Sequence, residues 1–90
     1  MRLDKYLKVS RLIKRRTVAK EVCSAGRIQV NGRQAKAGTE VAAGDKLVIN
    51  FGGKILEAEI MAVAESIRAE EASTMYKILK ETRIPRDEDQ

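Results

Sequence analysis

Apolar positions along the 90-residue chain follow a helical period first and a strand period afterwards. In "LDKYLKV", residues 3–9, Leu3, Tyr6 and Leu7 fall at i, i+3 and i+4. That spacing predicts a short amphipathic helix, and Asp4 in its first turn suits the helix dipole. "SRLIKRR" follows as a connector whose Leu12 and Ile13 are placed to plug the core. A second helix is predicted over "VAKEVCSA", with Val18 and Val22 on one face and Ala19 and Cys23 beside them. Thr17 stands where an N-cap oxygen is wanted, and Gly26 where a left-handed C-terminal cap is expected.

From residue 27 onward the pattern shortens. "RIQV-NG-RQA" reads as two short strands joined by an Asn-Gly turn, a strong local hairpin signal. "AAGDKLVINF" supplies a Gly-Asp turn and the apolar run Leu47 to Phe51, and "GGK" turns the chain again. In "ILEAEIMAVA", Leu56, Ala58 and Ile60 alternate with Ile55, Glu57 and Glu59. Such alternation predicts a half-buried strand with an acidic outer face. "EEASTMYKILKE" spaces Met75, Ile78 and Leu79 like a helical stripe, so a final helix is predicted, closed by Pro85. "RDEDQ" then reads as a frayed acidic tail. The expected fold class is α+β: two short N-terminal helices packed on a small antiparallel sheet, with a C-terminal helix. Residues 1–64 form the domain in this reading, 65–84 a helical segment against it, and 85–90 the tail.

Charge changes the picture. Residues 1–36 hold eleven Lys/Arg against Asp4 and Glu21, a net of +9. Residues 37–90 hold seven against eleven Asp/Glu, a net of −4, which leaves the chain at +5. A basic half beside an acidic half fits a protein whose first half meets a polyanion. The sequence has no apolar run of the roughly 18 residues that a membrane span needs, and no signal peptide. A lone Cys23 rules out an internal disulfide and suits a reducing compartment. A cytoplasmic protein is expected.

Catalytic chemistry finds little to work with. The chain has no histidine, the usual general acid/base and the commonest metal ligand. One cysteine without a histidine makes neither a zinc cluster nor an activated thiol; Cys23 reads as a small core residue. "FGGK" lacks the spacing and the Ser/Thr of a P-loop. No enzyme, metal or cofactor is expected. The only aromatic residues, Tyr6, Phe51 and Tyr76, read as core, so no sheet offers a platform for stacking bases. Nucleic acid would have to be held through phosphate and shape.

"KRRTVAKE", residues 14–21, stacks Lys14, Arg15, Arg16 and Lys20 around Thr17 at the start of the second helix. A helix N-terminus exposes unpaired N–H groups and carries about half a positive charge, so cations are out of place there. Broken local rules mark functional sites. A phosphate from outside would meet the free N–H groups and the guanidinium forks of Arg15 and Arg16. Arg2, Lys5, Lys8 and Arg11 extend the basic field from the first helix and connector. Arg27, Asn31, Gly32, Arg33 and Lys36 carry it onto the hairpin.

The string "RLDKYL…SRLIKRRTVAKEVCSAGRIQVNG…K…VAAGDKL", over about residues 1–50, resembles the S-four domain, a small RNA-binding module. It departs from that pattern at Ala37, where many members carry proline. The resemblance implies two antiparallel helices and a hairpin forming an L-shaped RNA surface. It also implies RNA contacts by Arg2, Lys5, Ser10, Arg11, Arg15, Arg16, Lys20, Arg27, Asn31 and Lys36. The chain starts at Met1 and leaves no room for a catalytic domain, so a free-standing module is expected. With "MYKILKETR" included, it is similar to the small ribosome-associated, heat-shock-type branch of the family. That branch implies a monomer contacting rRNA and tRNA on large ribosomal subunits that carry stalled peptidyl-tRNA, without membrane or small-molecule partners. The role would be ribosome-associated quality control, beside a protein that tails the nascent chain, or recycling of stalled subunits.

Two other classes compete. A helix-turn-helix DNA reader needs base-reading side chains along its second helix, where "VAKEVCSA" offers only Lys20, Glu21 and Ser24. A protein adaptor would use the acidic half against a basic partner. Filter binding with structured RNA and duplex DNA separates the three.

Overall fold

Helix α1 spans Leu3–Val9 and buries Leu3, Tyr6 and Leu7, as its spacing requires. The structure, a computed structural model, describes residues 1–84; Pro85 and the expected tail at 85–90 lie outside the described residues. The first N–H groups of α1 do not face water. Those of Leu3 and Asp4 donate to the carbonyls of Thr39 (2.8 Å) and Ala37 (3.1 Å), so the 36–40 loop caps this helix with backbone oxygen. The chain then reverses through Arg11, which holds a left-handed φ of 63°. Ile13 from this turn is buried and Leu12 half-buried.

Helix α2 covers Arg16–Ser24 and packs Ala19, Val22 and Cys23 inward. Its N-cap is Arg15, with φ −106° and ψ 128°, and no side chain caps it. Thr17 therefore does not fill the capping role predicted for it. It lies inside the first turn, past the extended backbone that a cap residue must have. Beyond the helix, Gly26 takes φ 71°. A Cβ there would sit 1.9 Å from Gln34 Nε2, whose amide donates to the Gly26 carbonyl at 3.1 Å. Glycine is needed for both the backbone and the close approach.

Five antiparallel strands form one sheet in the order β2-β1-β3-β4-β5. They are β1 (Ile28–Val30), β2 (Arg33–Gln34), β3 (Lys46–Asn50), β4 (Lys54–Ile60) and β5 (Tyr76–Arg83). Asn31 and Gly32 join β1 to β2 with φ of 53° and 83°, the double positive φ of a type I′ turn. Ile28, Ile49 and Leu56 lie in register across β1, β3 and β4, and Leu47 pairs with Ala58. These residues are buried, while Glu57 and Glu59 turn the other way, the alternation expected. The core lies between that face and the two helices, with Tyr6, Leu7, Ile28, Ile49, Ile60 and Met75 fully covered.

The predicted C-terminal helix is not formed. Residues Ala69–Met75 make a 3₁₀ helix, and Tyr76–Arg83 make β5 at the sheet edge. Pairing runs from Ile60↔Tyr76 to Lys54↔Arg83, with an irregularity between Glu57 and Ala58 that leaves Leu79 out of register. The apolar spacing of Met75, Ile78 and Leu79 misleads because only Met75 of the three is buried; Ile78 and Leu79 stand exposed on the edge strand. Pairing satisfies the backbone of β4 along its whole length, a gain that a docked helix could not supply.

Candidate nucleic-acid interface

Six of the predicted cations come together on the two helices and their flanking residues. Lys5 and Lys8 are one turn apart on α1, as are Arg16 and Lys20 on α2. Arg2 precedes α1 and Arg11 occupies the reversal between the helices. These six side chains line one open groove of about 640 Å³, with Val9, Ala19 and Ile67 supplying apolar wall and Asp4, Glu65 and Ser66 the rest. Arg11 can aim into it because of its left-handed backbone, a conformation costing a non-glycine residue about 1–2 kcal/mol and one that clusters at functional sites.

Two of the six cations are already engaged. Arg2 Nε and Nη2 each donate to the Asp4 carboxylate at 3.2 Å, and Lys5 pairs with Glu65. Partial burial alone would push the Asp4 carboxyl up, but the Arg2 guanidinium and the Lys5 N–H hold it below its ordinary value. The Lys5 ammonium likewise lowers Glu65. Among the described residues Lys8, Arg11, Arg16 and Lys20 pair with no carboxylate. Four cations without counter-charge, beside a helix end with no cap and no first-turn acid, make an anion-binding surface with fork geometry and a point of positive dipole.

Other predicted residues fall elsewhere. Lys14 and Arg15 are exposed on the connector at the same helix end, outside the groove lining. Ser10 is fully buried. Its Oγ donates to the Leu7 carbonyl and accepts from the Leu12 N–H, both at 3.4 Å. It cannot touch RNA without unfolding the turn, so it shapes the reversal that presents Arg11. Asn31 is exposed but committed: its Nδ2 donates to Asp45 at 3.1 Å and its Oδ1 accepts from the Lys46 N–H at 3.0 Å. Gly32, Arg33 and Lys36 are exposed on the hairpin and the following loop. Arg27 lines a separate groove on the far flank of α2.

Glu65 and Ile67 belong to the groove wall without having been singled out, because nothing local links them to Lys5, sixty positions away. Cys23 is buried, and burial, with the Asp4 charge adding, raises its thiol above the ordinary value. A neutral packed thiol is the result.

Residues 1–47 match the model of the S4 domain. The chain belongs to the S4 domain family. It is 64% identical over 88 residues to the RQC P-site tRNA stabilizing factor of Halalkalibacterium halodurans, spanning 98% of this chain and all of that protein. It is 54% identical to the Bacillus subtilis protein of the same name, covering 93% of this chain and 98% of the relative. Among solved structures, the trimeric Heat Shock Protein 15 of Vibrio cholerae superposes with a TM-score of 0.79 at 29% identity, over 88% of this S4 chain and 81% of that one.

Proposed function

We propose that this S4 chain binds RNA through the phosphate backbone seated in the six-cation groove. The RNA is rRNA and P-site tRNA on large ribosomal subunits that carry stalled peptidyl-tRNA. Binding there holds the tRNA in place while a partner protein extends the nascent chain, as a non-catalytic, cytoplasmic factor in ribosome-associated quality control. What supports this most is the gathering of Lys8, Arg11, Arg16 and Lys20, free of carboxylates, around an uncapped helix end. The end-to-end likeness to proteins named for P-site tRNA stabilization supplies the ribosomal context. Recycling of stalled large subunits is the second reading, favoured by the structural likeness to Heat Shock Protein 15. Sedimentation of cell extract separates them from looser alternatives. The protein is expected with free large subunits bearing peptidyl-tRNA. Recovery with small subunits, or only as free protein, removes the quality-control role while leaving RNA binding intact.

A further inference from the structure

A second groove, of about 610 Å³, opens on the opposite flank of α2. Its walls are Val18 and Val22 on the helix, Ala25 at its C-cap, and Arg27, Asn50 and Phe51 on the sheet side. The cationic groove takes Arg16, Ala19 and Lys20 from the same helix. Two positions are about 200° of rotation at 3.6 residues per turn, so α2 is a partition between two sites.

Phe51 is not swallowed by the core as its sequence context suggests. It is half-buried on the rim, and the turn that carries it is tied down at three points. Its N–H donates to the Lys54 carbonyl (2.9 Å), the Asn50 N–H to the Arg27 carbonyl (2.8 Å), and the Gly52 N–H to Asn50 Oδ1 (2.8 Å). The Lys54 ammonium stands 5.5 Å from the ring centroid. The Arg27 guanidinium lies over Gly52, where a Cβ would come within 3.4 Å of Nη1. Among the described residues Arg27 pairs with no carboxylate.

We propose that this groove receives one unpaired nucleotide of the bound RNA, its base against Phe51 and the apolar flank of α2 and its phosphate on Arg27. The chemistry fits that occupant. A held aromatic ring and an aliphatic wall suit a flat base, and stacking of this kind tolerates any sequence. Arg27, over the following Gly52, suits the attached phosphate, while Glu21, which also lines the groove, is a wall that the phosphate avoids. Only the width of α2, about 10 Å with side chains, separates this site from the phosphates in the first groove. A short unpaired step of the same strand bridges it. The inference rests on the RNA-binding reading and adds to it a contact that reads unpairedness.

Phe51 is the chain's single phenylalanine, so full-length protein labelled at the phenylalanine ring and at every backbone amide gives one set of ring signals beside its amide signals in NMR. The probes are a stem–loop RNA with one bulged adenosine and the same stem–loop fully paired. The ring signal is expected to move upfield only with the bulged RNA, which should bind roughly tenfold tighter, as loss or gain of one base stack implies. Arg27→Gln should weaken the bulged RNA more than the paired one, erasing most of that preference, with the protein still folded by its melting curve. Phe51→Leu, which keeps an apolar side chain, should erase the preference too. A ring signal that stays put while the Arg16 and Lys20 amides move overturns the nucleotide site but not RNA binding. So does an Arg27→Gln protein that weakens on both RNAs equally. If neither RNA moves any resonance, the RNA-binding reading falls, and this site with it.

Discussion

At Arg16 folding and the proposed phosphate contact pull in opposite directions. The residue opens α2 with no acid in the first turn and no side-chain cap, so its charge opposes the helix dipole. Arg16→Ala is expected to lose a charge-assisted phosphate bond of about 1.5–3 kcal/mol, a roughly ten- to hundredfold weaker complex. The free protein should melt at the same temperature or slightly higher. Arg16→Lys should recover little affinity, since a point charge lacks the fork. One purified variant, measured by filter binding and by thermal melting, decides the matter: a lowered melting temperature with unchanged affinity makes Arg16 scaffold. The charge pattern that singles out this residue was legible in "KRRTVAKE" because a broken helix rule is a local feature. What a side chain does after the chain turns was not. Ser10 and Asn31 look like polar contact residues, yet Ser10 is fully buried and Asn31 is spent on Asp45 and Lys46. Ser10 is spent locally, on Leu7 and Leu12 in the chain reversal, and its burial depends on how that turn packs. The partners of Asn31 come from residues fourteen and fifteen positions away, which no short window contains.

The elements tell a similar story about reach. Helix α1 spans the residues its spacing predicts, and the Asn-Gly hairpin forms where its turn chemistry places it, because both signals are short-range. Tyr76–Arg83 went the other way, since its state is set by the free edge of β4 and not by its own propensity. Just before this segment, the buried Met75 is tied to α1 by its packing in the core and by a bond from the Tyr6 hydroxyl to the Met75 carbonyl at 2.7 Å. The same carbonyl also accepts from the Met61 N–H at 2.8 Å, so losing the hydroxyl does not orphan it. Tyr6→Phe is therefore expected to cost only about 0.5–1.5 kcal/mol, a drop of a few degrees in melting temperature for a domain of this size. Alkaline pH adds a sharper signature. Burial first, and the nearby Tyr76 second, raise the Tyr6 phenol above its ordinary value of 10.0. The neutral form is thus favoured by the fold, so its stabilisation is whole below pH 10 and is lost as pH climbs further. Tyr6→Phe has no such loss, and the gap between the two melting temperatures should close above pH 10. A gap that stays constant up to pH 11 would mean that the hydroxyl is not held in a dry site.

Across the whole molecule, the +9 of residues 1–36 becomes a spatial fact. Six of that segment's eleven cations line the groove between the helices, whereas on the sheet's other face Glu57 and Glu59 stand in register with Lys80, Lys77 and Lys46. Uncompensated positive charge is therefore concentrated at the groove, which steers a polyanion toward it. Salt is the direct probe of this arrangement. Six cations line the groove, two of them paired with carboxylates in the free protein. If about five or six phosphates are neutralised on structured RNA, log affinity should fall against log salt with a slope of roughly −4 to −5. Removing one unpaired cation, as in Arg16→Ala, should flatten the slope by about one. A titration between low and physiological salt measures both on the same RNA. A nearly flat line means that stacking or protein contacts carry the complex and that the cationic groove is incidental. A steep line that Arg16→Ala leaves unchanged means that the phosphates sit on other cations, and the interface must then be moved away from the α2 N-terminus.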